Sequence, residues 1–164
     1  MTDKQSKERM QRLNDALQSM PTGEEIIQGA NVDMSVDEDY RRLALQRLYD
    51  LNSTYKIKHT NLYYTPFKDE AALLQHTQSI LNMMHPWLYY IRQDAKTRCG
   101  IPDITGCLNG RFFAFELKDN IGKPSAPQIT NITSINEAHG LAVCPKTIHQ
   151  VFTQLFACFG IYNF

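Results

Sequence analysis

Between Ile101 and Lys118 the chain sets two carboxylates, a tight turn and a lysine in an order that can do chemistry. Asp103 follows Pro102, Glu116 and Lys118 flank Leu117, and Asn109-Gly110 separates the runs IPDITGC and RFFAFELK. Asn-Gly tolerates the positive φ angles of a type I′ turn, which predicts a β-hairpin. With Asn109 and Gly110 as the loop, Leu108 pairs with Arg111, and counting outward sets Asp103 directly across from Glu116. Alternation then puts Glu116 and Lys118 on one face, with Phe113, Phe115 and Leu117 on the other. Opposed residues have Cβ atoms roughly 4.5–5.5 Å apart. Carboxylates that close repel unless a cation lies between them. With only oxygen donors on offer, the matching ion is hard: Mg²⁺, or Mn²⁺ in its place, with water completing the octahedron. A plainer reading stands beside this one, in which Lys118 neutralises Glu116 as a solvated pair and Asp103 is a lone acid at a strand end.

Charge mapping adds a partner class. The 164 residues carry 17 Lys+Arg against 17 Asp+Glu, yet a null total says nothing about how charges segregate. Of the eight basic residues beyond position 60, six lie between Arg92 and Lys123: Arg92, Lys96, Arg98, Arg111, Lys118 and Lys123. Such a cluster suits a polyanion, with Arg92, Lys96, Arg98 and Lys123 as phosphate contacts. Arg111 sits at the turn, where a solvated basic face serves equally well.

The elements that must hold these residues follow from periodicity. At 43% hydrophobic and 21% charged residues, the chain has the composition of one packed domain and not of a disordered segment. Met10, Leu13, Leu17 and Met20 form a narrow apolar stripe on a first helix, Pro21 to Asp33 reads as loop, and Ser35 with Glu38 fits a capping box before a second helix. Tyr40, Leu43, Ala44, Leu48 and Leu51 supply that helix's apolar face. Asp69 to Met84 is helical by the same test, Trp87 to Arg92 is a strand, and the hairpin comes next. Ser125 and Gln128 cap a helix running to about His139 with Gly140 as its stop. Leu141 to Cys144 is a short strand, and Thr147 to about Phe159 a closing helix. The expectation is an α/β fold, α-β-β-β-α-β-α, with a mixed sheet and helices on both faces, preceded by a helical extension over residues 1–60.

Several classes are excluded. The start MTDKQSKERMQRLND has no apolar run to serve as a secretory signal or membrane anchor, and Thr147 to Phe164 is interrupted by His149, Gln150, Gln154 and Asn163. Cys99, Cys107, Cys144 and Cys158 contain no CxxC pair, which argues for reduced thiols in a cytosolic protein and against a disulfide framework or a zinc site. His59, His76, His85, His139 and His149 share no metal-ligand spacing. Tyr63, Tyr64 and Phe67 read as core aromatics at a helix entrance, with base stacking as the competing role.

The stretch GIPDITGCLNGRFFAFELKDNIGKPSAPQ, Gly100 to Gln128, resembles the PD-(D/E)XK nuclease signature, with Pro102-Asp103 as its first element and Glu116-Leu117-Lys118 as its second. In detail it is similar to the virus-type replication and repair nucleases, the VRR-NUC group, related to Holliday junction resolvases. The similarity spans roughly residues 68 to 145; residues 1 to 60 lie outside it. The resemblance implies a restriction-endonuclease-like αβββαβ core, with 61–164 as the nuclease domain. It implies that Asp103 and Glu116 hold the metal with the Leu117 carbonyl as a third ligand, and that Lys118 positions the attacking water. Glu70, with Asp69 as its neighbour, matches the acid of the preceding helix, and Gln128 matches the glutamine after the lysine. On the plainer reading Glu70 is a first-turn acid and Gln128 closes its capping box.

The activity so implied is Mg²⁺-dependent endonucleolytic hydrolysis of DNA, leaving 5′-phosphate and 3′-hydroxyl ends. Its substrate would be branched or structured DNA in bacterial or phage replication, recombination or repair, in the cytoplasm. Relatives that cut both strands of a symmetric junction work as homodimers. The N-terminal stripe offers either a protein-docking helix or one folded onto the nuclease body. A nuclease-fold module that binds DNA or protein without turnover, acting as an inhibitor or assembly factor, is the alternative.

Overall fold

The computed structural model describes residues 34–93 and 100–162. The stripe from Met10 to Met20, the Pro21–Asp33 loop and the basic residues Lys96 and Arg98 lie outside the described residues. A compact unit extends over Glu38–Phe164. The elements are α1 (Met34–Lys58), α2 (Thr60–Tyr63), α3 (Glu70–Met83), β1 (Leu88–Arg92), β2 (Ile104–Leu108), β3 (Arg111–Phe115), α4 (Ala126–Glu137), β4 (Leu141–Val143) and α5 (Ile148–Ala157). The expected order holds from α3 onward.

The sheet order is β1-β2-β3-β4. β1 and β2 are antiparallel, β2 and β3 are antiparallel, and β3 and β4 are parallel. Asn109 and Gly110 have φ of 53° and 72°, the left-handed pair that a type I′ turn requires. The register follows: Leu108 faces Arg111 and Ile104 faces Phe115.

One face of this sheet is dry. Leu88, Ile104, Leu108, Phe113 and Phe115 share a core with Leu48 and Tyr55 of α1, Leu73, Ile80 and Leu81 of α3, and Val151, Phe152 and Leu155 of α5. α5 is buried nearly all round, with Thr147 accepting a hydrogen bond from Gln150 N–H as its cap. α4 packs on the opposite face, where a Cβ on Gly140 would stand 2.7 Å from Ile135 Cγ2 and 3.3 Å from Phe112. Helices therefore cover both faces of a mixed sheet.

Four expectations change in detail. Leu48, Leu51 and Tyr55 of α1 are buried with the sheet, and the compact unit begins at Glu38, so the second helix of the expected 1–60 extension packs as part of the same body. Tyr40 and Leu43, expected on the apolar face, are 44% and 50% exposed because they precede the stretch that meets the core. The backbone is already helical at Met34, so Ser35 lies inside α1, whereas an N-cap residue is non-helical. The end of α4 also differs: His139, with φ of 62°, takes the left-handed position expected of Gly140. Gly140 is needed instead for its close approach to Ile135.

Candidate active site

The acids arrive by continuation of the hairpin. One step beyond the last ladder pair Ile104–Phe115, Asp103 comes beside Glu116, and its side chain takes over as the acceptor: Leu117 N–H donates to Asp103 Oδ2 at 2.8 Å. On the other side Glu116 N–H donates to Val143 O at 3.0 Å and Lys118 N–H to Pro145 O at 3.2 Å, so β3 is tied to its neighbours through Lys118. Glu116 and Lys118 lie on one face as alternation demands, and Lys118 Nζ donates to Glu116 Oε1 at 2.7 Å.

The plainer reading of a solvated pair fails on burial. Glu116 is 1% exposed, and the Lys118 side chain 12%. Burial lifts the Glu116 carboxyl above its usual range; the hydrogen bond from Lys118 opposes this, and the charges of Asp103 and Glu70 add to the upward push. Burial alone would lower Lys118, but the bond and charge of Glu116, with Glu70 and Asp103, reverse that and hold the ammonium protonated.

Two further residues complete the cluster. Glu70, in the first turn of α3, places Oε1 3.5 Å from Lys118 Nζ. Asp69 is instead the helix cap, accepting from Ala71 N–H. Gln128 satisfies both of its readings at once: its Oε1 accepts from Ser125 N–H at 2.7 Å, while its Nε2 donates to Glu116 Oε1.

Glu116 Oε2 is buried with no hydrogen-bond partner. A buried anionic oxygen left bare is costly, and a cation is the partner that would offset the cost. Among the described residues no three Asp, Glu, His or Cys side chains converge on one point, so the protein offers a hard ion two facing carboxylates and leaves the rest of its shell to carbonyl and water. That donor set fits Mg²⁺ or Mn²⁺, which retain several waters.

The expected phosphate contacts separate. Lys123 is exposed and adjoins Gly122, where a Cβ would lie 3.4 Å from Glu70 Oε1 and 3.3 Å from Lys118 Cδ, so it sits at the rim of the cluster. Arg92 is paired with Ile104 at the end of β1, and alternation turns it to the opposite face from Asp103 and Glu116. Arg111 donates to Tyr162 OH at the hairpin turn, away from the acids. Of the aromatics, Tyr63 and Phe67 are core, and Tyr64 is 54% exposed.

Lys146 emerges as a residue that sequence reasoning missed. Its Nζ donates to Gly122 O at 2.7 Å and Asn120 O at 3.2 Å, and Asn120 N–H donates to Phe67 O at 2.7 Å. These bonds fasten the loop after Lys118 beside α3. Within that loop Asp119 accepts from Ile121 and Gly122 N–H, the Asx pattern.

Neither a family model nor a curated protein matches the chain. A solved structure described as a VRR_NUC domain is similar at 18% identity, over 50% of this chain and 88% of that one, with a TM-score of 0.43.

Proposed function

We propose that this protein is a divalent-metal-dependent nuclease that hydrolyses phosphodiester bonds in DNA. The observation that carries the reading is the buried Glu116, with the half-buried Asp103 beside it and Lys118 Nζ 2.7 Å from its carboxylate. A structural ion pair has no need of a second facing acid, an additional glutamate at 3.5 Å and a bare buried oxygen. The resemblance of Gly100–Gln128 to the PD-(D/E)XK signature supports the same assignment.

Asp103 and Glu116 would hold the cation, with the Leu117 carbonyl as a further oxygen donor and Glu70, beside Lys118, reaching it through water. When bound, Mg²⁺ supplies an acidified water and charge neutralisation at the phosphate. Lys118 lies between Glu70 and Glu116, where its ammonium orients a water for in-line attack and balances the charge that develops on phosphorus oxygens. Gln128 fixes Glu116 Oε1 and leaves Oε2 as the metal-facing atom. Lys123 holds the phosphate backbone at the rim, joined in this reading by Lys96 and Arg98; Arg92, turned to the other face, drops out.

The substrate we propose is branched or structured DNA in bacterial or phage replication, recombination or repair, cut by a homodimer in the cytoplasm, with residues 61–164 as the catalytic domain; the motif resemblance supports these finer points. Incubation with supercoiled plasmid, linear duplex and a four-way junction, in Mg²⁺ and in chelator, tests the reading. Magnesium-dependent cleavage is expected, fastest on the junction. Retained binding without cleavage of any substrate would leave a non-cleaving nuclease-fold module.

A further inference from the structure

Of the three aromatics ahead of α3, Tyr63 and Phe67 are buried and Tyr64 is 54% exposed. Tyr63 is pinned: its hydroxyl donates to Asn52 Oδ1, and its ring stacks on Phe152 with the planes at 25°. Tyr64 is held from its sides. Tyr63 meets it edge-on, with centroids 4.7 Å apart and planes at 80°, and His149 meets it at 4.9 Å with a tilt of 54°. Lys56 Nζ lies 5.4 Å from its centroid, within cation–π range. Among the described residues neither of these ring contacts lies flat on Tyr64, so an oriented aromatic surface with a cation beside it is left to solvent.

The backbone fixes where this surface stands relative to the acids. Tyr64 precedes Phe67 by three residues, and Phe67 N–H donates to Lys146 O at 3.1 Å while its carbonyl accepts from Asn120 N–H at 2.7 Å. Lys146 Nζ bonds the Asn120 and Gly122 carbonyls, and His149 follows Lys146 by three residues. Tyr64 and His149 thus both spring from segments fastened to the loop between Lys118 and Lys123. Tyr64 precedes Glu70 by six residues, a span of at most about 20 Å, and Glu70 Oε1 is 3.5 Å from Lys118 Nζ. At about 3.4 Å per nucleotide along a strand, the ring lies within about six nucleotides of the site. Lys56, Lys68 and Lys123 are exposed, the sign a phosphate backbone needs, while Asp69 beside Lys68 is taken up by the α3 cap.

Every base offers a π face on which an aromatic side chain can stack. Within a duplex both faces of a base are covered by its neighbours in the strand, so a protein ring serves bases that are unpaired. We propose that Tyr64, oriented by Tyr63 and His149 with Lys56 beside it, stacks on an unpaired base of the DNA that flanks the cleavage site. This rests on the nuclease reading above and narrows its substrate from branched or structured DNA to forms that carry a single-stranded stretch within a few nucleotides of the scissile bond.

The test measures binding of the full chain in chelator, by fluorescence anisotropy, to a fully paired duplex and to the same duplex with a thymidine tail on its 5′ or its 3′ end. Tyr64→Ala should weaken binding to at least one tailed duplex fivefold or more and leave the paired duplex within twofold. Tyr64→Phe, which keeps the ring, should bind the tailed duplex as the unmodified protein does. Absence of binding to tailed DNA, no loss in Tyr64→Ala, equal loss on paired and tailed DNA, or a Tyr64→Phe as weak as Tyr64→Ala would overturn the proposal. A second measurement uses the unmodified protein: 2-aminopurine at one position of the tail should be quenched on binding as it stacks. Unchanged emission at every tail position would also overturn it. Loss of the nuclease reading is a separate result, since tail binding through Tyr64 without cleavage in Mg²⁺ would keep the stacking platform and remove the enzyme.

Discussion

Gln128 donates from Nε2 to Glu116 Oε1 while its own Oε1 caps α4 at Ser125 N–H, so one amide joins the start of a helix to a buried acid. Gln128→Glu separates the two roles. The carboxylate still accepts from Ser125 N–H, but it now faces Glu116 as a like charge. We expect near-normal unfolding in urea with a drop in cleavage of tenfold or more. Gln128→Ala should lose cleavage and also about 0.5–2 kcal/mol of stability, the worth of a cap. Equal activity of both variants with the unmodified protein would remove Gln128 from the site.

Asp103→Asn keeps an acceptor for Leu117 N–H and removes a metal-binding charge. Cleavage should fall by about 10²–10³ or more, with circular dichroism unchanged. Metal linkage gives an independent reading: Mg²⁺ at ten times its Kd should stabilise the unmodified protein by about 1.4 kcal/mol. Asp103→Asn should show little of that rise in melting temperature. A full magnesium-induced shift in the variant would contradict the assignment.

Lys123 is exposed beside the Glu70–Lys118 pair, where it serves as a phosphate contact. Lys123→Ala should weaken DNA binding equally across sequences and lower the slope of log K against log salt by about 0.9. An unchanged slope, measured by fluorescence anisotropy between low and moderate salt, would place the DNA elsewhere.

The acid limb of stability should involve His76. Burial first, and the charge of His59 second, lower its pKa from the ordinary 6.5. His149 shifts the same way through burial and Lys56. A histidine whose folded pKa is depressed binds its proton more readily when unfolded, so its contribution to stability is full above about pH 6.5 and is lost as pH falls from there through the folded value. His76 Nδ1 also pairs with Tyr55 OH at 2.5 Å. The melting temperature should therefore decline between pH 7 and 5, and His76→Gln should flatten that decline. A profile with the same slope in the variant would refute the role given to His76.

Much of this molecule was legible from residue order because its signals are local. Asn109-Gly110 fixed the turn, the turn fixed the register, and the register set Asp103 opposite Glu116 with Lys118 on the same face. The capping pair Ser125–Gln128 and the apolar spacing of Leu73, Thr77, Ile80 and Leu81 are local in the same way. What the tertiary structure decided are contacts between elements far apart in the chain. Burial of Glu116 requires α4 and β4 beside β3, and alternation cannot tell a solvated face from a covered one. The second use of Gln128 and the loop clasp of Lys146 depend on the crossover helix and on the parallel strand it delivers. No spacing rule encodes that neighbour, because parallel pairing sets no fixed separation along the sequence.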